Sequence, residues 1–138
     1  MDMRIIHDWP PNIDKIAAAL PQARITHGVY FAYAPNVYIP HGGDLTPSLR
    51  AHEAEHIKRQ GSDPDGWWDQ YLSDSAFRFD EELAAHRAEY RHFDGRPRNE
   101  RRFYLRQISH RLASRLYGGL CTPHKAKQLI TGKENPDG

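Results

Sequence analysis

The segment from His52 to His56 reads His-Glu-Ala-Glu-His, with two histidines four residues apart and a glutamate directly after the first. Residues at this spacing lie on the same face of a helix, so His52 and His56 can bind one metal ion. Two imidazoles and one carboxylate suit zinc and leave a fourth, open position for water. Glu53 then lies close enough to take a proton from the zinc-bound water. The pattern predicts zinc-dependent hydrolysis with Glu53 as the general base.

A helix from Pro47 to Gln60 is predicted to position these residues. Thr46 can serve as its N-cap, and proline is favoured at the first helical position. The only face that carries Leu and Ile side chains also carries both histidines and the glutamate. Its members are Leu49, His52, Glu53, His56, Ile57 and Gln60. Polar groups on a buried face need partners, which a metal ion would supply. The alternative is a chance pair of surface histidines in a chain that has 9.

A second helix, predicted from Ala76 to Phe93, supplies candidates for the third ligand. Carboxylates and a histidine share one stripe of this helix with aromatic side chains. The stripe consists of Phe79, Glu82, His86, Glu89, Tyr90 and Phe93. Glu82 lies in its middle and is the predicted third zinc ligand, with Glu89 and His86 as alternatives.

The neighbouring carboxylate, Glu81, is rotated by about 100° around this helix and is expected to face solvent. A competing interpretation is a solvated acidic face that pairs with Arg78 and Arg87. For a second oxyanion donor the candidates are His86, Tyr90 and His110, and the sequence does not choose among them.

Length and composition are typical of one folded, soluble domain. The chain has 138 residues, of which 27% are charged and 38% hydrophobic, with a net charge of +1. Its single cysteine, Cys121, excludes a disulfide framework and a thiolate-rich zinc site, so the ligands must be His, Asp or Glu. We expect one domain over residues 1–130 and a flexible tail over 131–138. The amino-terminal stretch Met1–Pro11 lacks the apolar run of a signal peptide, and no stretch could span a membrane, so a cytoplasmic location is expected.

The remaining patterns predict an α+β fold, with a small amino-terminal sheet followed by a mostly helical body. Two short strands rich in Val, Tyr and Phe precede the metal-binding helix, and an exposed edge of such a sheet can hold an extended peptide. The aromatic segment after that helix is interpreted as packing. The predicted elements are a helix over 12–20, strands over 28–33 and 36–39, and helices over 67–72, 99–117 and 122–130.

Nine of the 14 arginines lie between Arg87 and Arg115, a feature that could indicate nucleic-acid binding. However, Arg102 and Arg106 flank one side of an apolar stripe, whereas Arg111 and Arg115 flank the other. Because no single basic stripe results, arginines snorkelling around a buried seam explain the pattern better. Nucleic acid is therefore not the expected partner.

Longer stretches around the motif carry a family resemblance. They are Val37-Tyr38-Ile39-Pro40, the segment His52 to His56 followed by Arg59-Gln60, Trp67-Trp68 with Tyr71-Leu72, the segment Phe77 to Ala85, and Leu116-Tyr117-Gly118. In these stretches the chain resembles the zincin-like metallopeptidases encoded by phages and prophages. The resemblance is to the gluzincin type, in which the third ligand is a glutamate on a later helix.

The resemblance implies a zincin-like fold, with His52 and His56 as zinc ligands, Glu53 as general base and Glu82 as the glutamate ligand. Some families of this type place an aspartate four residues after that glutamate, where this chain has His86. A phage-encoded protein would be located in the cytoplasm of a bacterial host. The predicted reaction requires a peptide or protein substrate, which the resemblance does not identify, and the lack of a long apolar stretch predicts no membrane partner. Phage structural or assembly proteins are further candidate partners.

Two functions of other classes stay open at this point. One is a zinc-stabilised structural or interaction protein that keeps the fold without turnover. The other is an arginine-rich nucleic-acid-binding module in which the His-Glu-Ala-Glu-His segment is incidental. Metal content distinguishes the nucleic-acid-binding module from the enzyme. Peptide cleavage by wild type and by Glu53→Gln distinguishes the structural or interaction protein from the enzyme.

Overall fold

The computed structural model describes residues 3–26, 28–114 and 117–132. Within these ranges a three-stranded sheet is combined with seven helices, so the expected α+β class is confirmed. The strands are β1 (Arg4–Ile6), β2 (Phe31–Tyr33) and β3 (Asn36–Tyr38). The helices are α1 (Ile13–Ala19), α2 (Gln22–Ile25), α3 (Pro47–Gln60), α4 (Pro64–Ser73), α5 (Ser75–Arg91), α6 (Arg98–Leu112) and α7 (Pro123–Thr131).

The sheet has the order β1-β3-β2. Strands β2 and β3 form the predicted antiparallel hairpin, with Phe31 opposite Tyr38. Strand β1 pairs in parallel with β3, placing Ile5 opposite Val37, and was not predicted from the sequence. Three residues are too short for a periodic signal, and parallel pairing depends on a contact with a distant part of the chain. The short helix α2, which follows Pro21, was also not predicted.

Helix α3 has the predicted bounds. The hydroxyl oxygen of Thr46 accepts a hydrogen bond from the main-chain N–H of Leu49 at 3.3 Å, and such a cap stabilises a helix by about 1 kcal/mol. Helix α6 ends at Leu112, earlier than predicted. Positions 115–116 of that predicted helix and residues 133–138 of the predicted tail lie outside the described residues.

Three groups of buried apolar side chains surround the packed pair α3 and α5. The first group joins α1, β2 and α4, and the second joins α5, α6 and α7. The third lies between the sheet and α3. The polar residues predicted to bind metal lie between these groups. Among the described helices, none combines the length and the apolar character needed to cross a membrane.

Candidate metal centre

The buried face of α3 is the one that carries the predicted metal-binding residues. His52, Glu53, His56 and Gln60 are each only 3–4% exposed. The prediction that this face turns inward is therefore confirmed. The alternative of surface histidines is wrong, because both imidazoles are enclosed.

Helix α5 brings Glu82 against both histidines. Its Oε1 lies 3.5 Å from Nε2 of His52, and its Oε2 lies 3.2 Å from Nε2 of His56. One ligand atom from each of the three residues lies within 4.8 Å of the other two. Three converging ligand atoms at these distances could hold a metal ion.

A second group of potential ligands, formed by His52, His86 and Glu89, also falls within 4.8 Å. Arg111 donates to both oxygens of Glu89, at 2.9 and 2.7 Å, and Nδ1 of His52 lies 2.9 Å from Oε1. A cation bound by Glu89 would therefore face the Arg111 guanidinium at close range, and like charges repel strongly in a buried site. The group that contains Glu82 is the better candidate.

The contact with Glu89 determines how His52 is oriented. Burial raises the pKa of Glu89, but hydrogen bonds from His52 and Arg111 outweigh that effect and lower it to about 2. The ionised carboxylate can only accept, so Nδ1 of His52 must donate. Nε2 is then the ring nitrogen that faces Glu82. A carboxylate that holds a metal-binding imidazole in this way is common in metal sites.

Glu82 has its own supporting contact from α4. The hydroxyl of Tyr71 donates to Oε2 of Glu82 at 2.7 Å. Burial by itself raises the pKa of Glu82, but His56 and His52 hold it well below its usual value, so the carboxyl group is ionised. Oε1 is buried and has no hydrogen-bond partner among the described residues. The free oxygen is therefore available to a ligand.

The buried carboxylates of this cluster need positive charge from a cation or from bound protons. Glu53, Glu82 and Glu89 are all buried, and Arg111 is the arginine that contacts one of them. With neutral imidazoles and ionised carboxylates, two negative charges would stay uncompensated, and either a divalent cation or protons on the cluster can neutralise them. Oε2 of Glu53 and Nδ1 of His56 also lack hydrogen-bond partners within the described part of the chain. The donor set and its unsatisfied oxygen atoms fit a metal such as zinc.

Without a metal, the same cluster holds a proton. Burial lowers the pKa of His52, but the close Glu82 carboxylate and the hydrogen bond to Glu89 outweigh burial and raise that pKa to about 10. Burial also raises the pKa of Glu53 above its usual value. His52 is consequently protonated at neutral pH in the metal-free protein.

The expectation that Glu81 faces solvent is wrong. Its side chain is 5% exposed and accepts hydrogen bonds from Arg59 at 2.7 Å and from the indole N–H of Trp67 at 2.6 Å. Helix α4 packs over this side of α5, which periodicity within α5 could not reveal. Glu81 nevertheless stands outside both groups of potential ligands.

The solvated acidic face considered as an alternative is not present either. Glu82 and Glu89 are each 3% exposed. Arg87 donates to the main-chain oxygen of Leu129, and Arg78 to those of Tyr71 and Tyr117. The two arginines therefore bind main-chain groups and leave these carboxylates to the cluster.

The three candidates for an oxyanion donor occupy different places. His86 is fully buried, and its Nδ1 donates to the main-chain oxygen of Glu82 at 2.6 Å. Tyr90 packs in the group formed by α5, α6 and α7, and His110 is exposed. Tyr117 belongs to a stretch that carries the family resemblance but was not among the predicted oxyanion donors. It contacts the ring of His86 and lines the cavity described next.

A cavity of about 450 Å³ opens beside the cluster. The cavity is lined by four residues of the cluster, namely His52, Glu53, His56 and Glu82. Tyr104, Gln107, Ile108 and Arg111 of α6 line it as well, together with residues 28 to 32 from the start of β2 and the segment before it. The candidate ligands and Glu53 are therefore accessible to a molecule bound in the cavity.

Sequence reasoning missed the supporting roles of Tyr71 and Arg111. Tyr71 had been interpreted as packing, although a buried tyrosine hydroxyl usually needs a hydrogen-bond partner. Arg111 had been assigned to snorkelling. The available signal was Glu89, because a carboxylate on a buried stripe requires a cationic or donor partner.

Comparison of the chain with protein-family models, with curated proteins and with solved structures gave no match. The metal centre is therefore interpreted from its own geometry.

Proposed function

We propose that this chain is a zinc-dependent metallopeptidase with a zincin-like body. The observation that carries the proposal is the convergence of buried ligand atoms from His52, His56 and Glu82, with an unsatisfied Glu82 oxygen, beside a cavity. His52, His56 and Glu82 would hold the ion, and zinc bound there would act as a Lewis acid that acidifies water and polarises a carbonyl group. The resemblance to phage-encoded metallopeptidases supports the same reaction class.

The roles of the protein groups follow from their surroundings. Glu53 lines the cavity, and its raised pKa and unpartnered Oε2 suit a general base. It accepts a proton from the attacking water and returns it to the leaving amine. Glu89 and Arg111 orient His52, whereas Tyr71 orients Glu82. The hydroxyl of Tyr117 is the proposed donor to the developing oxyanion.

A test of this proposal compares zinc content and peptide cleavage in wild type, Glu53→Gln and Glu55→Gln. Glu55→Gln is the matched control, since it changes the other carboxylate of the same five residues. We expect about one zinc per chain in all three proteins. Cleavage of a randomised fluorogenic peptide pool should fall roughly 100-fold or more in Glu53→Gln only.

A second function uses the same ligands without turnover. The ligands and Glu53 are each 3–4% exposed, a degree of burial that also suits a structural zinc. Such a protein could serve as a phage structural or assembly component. Zinc-loaded wild type that cleaves no peptide would favour this function, whereas purified protein that takes up no zinc would reject both.

A further inference from the structure

The outer edge of β2 borders the cavity and is partly closed by side chains. In the order β1-β3-β2, strand β2 has no strand on its outer side among the described residues. The main-chain oxygen of Ala32 accepts hydrogen bonds from Nε2 of Gln60 at 2.7 Å and from Nε1 of Trp68 at 2.9 Å. Because these donors lie outside the sheet, the main chain of Ala32 faces away from β3.

The amide of Gln60 imitates a neighbouring strand at this edge. Ala34 directly follows β2, in the turn that leads to β3. The main-chain N–H of Ala34 donates to Oε1 of Gln60 at 2.7 Å. The Ala32 oxygen therefore already accepts two hydrogen bonds, and the Ala34 N–H already donates one.

Tyr30 directly precedes β2, and continuing the two-residue alternation of a strand gives its main chain the same outward direction as that of Ala32. It lies two residues before Ala32 and lines the cavity. No main-chain hydrogen bond of Tyr30 occurs within the described ranges. Gly28, with a φ of 79°, ends the extended stretch on the other side. Among Tyr30, Ala32 and Ala34, only Tyr30 thus keeps both its main-chain N–H and its main-chain oxygen free to pair with a bound chain.

We propose that Gln60 and Trp68 form a stop that confines an extended peptide substrate to one main-chain pair, at Tyr30. This inference rests on the proposed peptidase function. An antiparallel pair returns both hydrogen bonds to a single residue, and that geometry suits an edge with one free residue. When the peptide is antiparallel to β2, the residues on the amino-terminal side of its paired residue lie towards Ala32.

Gln60 and Trp68 leave unequal space for a peptide on the two sides of Tyr30. The place beside Ala32 is filled by Gln60 and Trp68, which are 4% and 7% exposed. The cavity wall also includes Gly28, which lies on the other side of Tyr30 in the chain, together with Thr46 and Ser48. Peptides are therefore accommodated beyond the paired residue on their carboxyl side and turned away on their amino side.

Amide hydrogen exchange tests this inference without turnover. The protein is zinc-loaded Glu53→Gln, and the probe is a randomised peptide pool added to saturation. We expect exchange at the Tyr30 amide to slow by about tenfold or more, whereas exchange at the Ala34 amide stays unchanged because Gln60 already protects it.

Replacement of Gln60 tests the stop itself, again in the Glu53→Gln background. In Gln60→Ala, exchange at the Ala34 amide should accelerate by about tenfold without peptide and slow again when the pool is added. Gln70→Ala, which changes an exposed glutamine of α4, should leave both amides as they were. Folding of each variant is checked by its zinc content.

The outcomes separate this inference from the proposed function. An unprotected Tyr30 amide, or no binding of the pool, overturns the inference even if wild type cleaves peptides. A protected Tyr30 amide in a protein that cleaves nothing supports the peptide-binding edge and rejects the peptidase. If Gln60→Ala does not fold, the Tyr30 measurement in the parent protein still decides the pairing.

Discussion

Glu89 accepts a hydrogen bond from Nδ1 of His52 at 2.9 Å, although the two residues are 37 positions apart in the chain. Arg111 holds the same carboxylate through both of its oxygens. Nε2 of His52 is consequently directed towards Glu82, and the proposed metal-binding geometry depends on this contact between α3, α5 and α6.

Glu89→Gln should weaken zinc binding about 10- to 100-fold, because it removes the charged acceptor that orients His52. The zinc dissociation constant is measured by competition with a chromophoric chelator. Glu100→Gln, which changes a partly exposed carboxylate on α6, is the control and should bind zinc like wild type. Unchanged affinity in Glu89→Gln would contradict the orienting role.

Glu82→Gln should lose most zinc affinity, since an amide oxygen is a much weaker zinc ligand than a carboxylate. Glu81→Gln is the matched control from the adjacent position of α5, and it should keep zinc while its thermal unfolding temperature falls. In a zinc-loaded crystal structure, a Glu82 oxygen should lie about 2.0–2.2 Å from the ion. Loss of zinc in Glu89→Gln but not in Glu82→Gln would instead identify Glu89 as the ligand.

Zinc affinity should rise with pH. The raised pKa of His52, about 10, means that the metal-free protein holds this proton at pH 7 and loses it as the pH rises through that value. Zinc requires the neutral imidazole, so binding must displace the proton, and affinity should increase by about tenfold per pH unit near neutrality. Titrations between about pH 6.5 and 8.5 measure the slope, and a flat profile would show that His52 is not protonated.

Tyr117→Phe should lower kcat by about 100-fold and leave KM and zinc content nearly unchanged. Desolvation and the nearby Glu82 raise the pKa of Tyr117 well above its usual value, so its hydroxyl is a donor at neutral pH. Tyr104→Phe, which alters another tyrosine of the cavity wall, is the control. Equal losses of kcat in the two variants would argue against an oxyanion role for Tyr117.

DNA binding should be weak and should decline steeply with salt. Several arginines of the basic region are already engaged, including Arg111 with Glu89 and Arg87 with the Leu129 oxygen. Fluorescence anisotropy with labelled duplexes of different sequence measures the affinity at two salt concentrations. Tight, sequence-dependent binding at physiological salt would promote the nucleic-acid function above the enzyme.

Local sequence was sufficient for the metal-binding helix and for its inward face. The bounds of α3 follow from Thr46, Pro47 and the helical spacing of Leu49, His52 and His56, all of which act within a few turns of one helix. The hairpin before it follows from two short β-rich runs. Glu82 could be singled out for the same reason, because its stripe on α5 is a local property.

Tertiary structure decided everything that depends on how separate elements meet. Glu81 is buried because α4 covers it, and Glu89 is saturated because Arg111 reaches it from α6. Strand β1 exists only through its parallel pairing with β3. Periodicity reports which face of an element turns inward. It carries no information about which distant side chain will be found there, since that is determined when the helices pack.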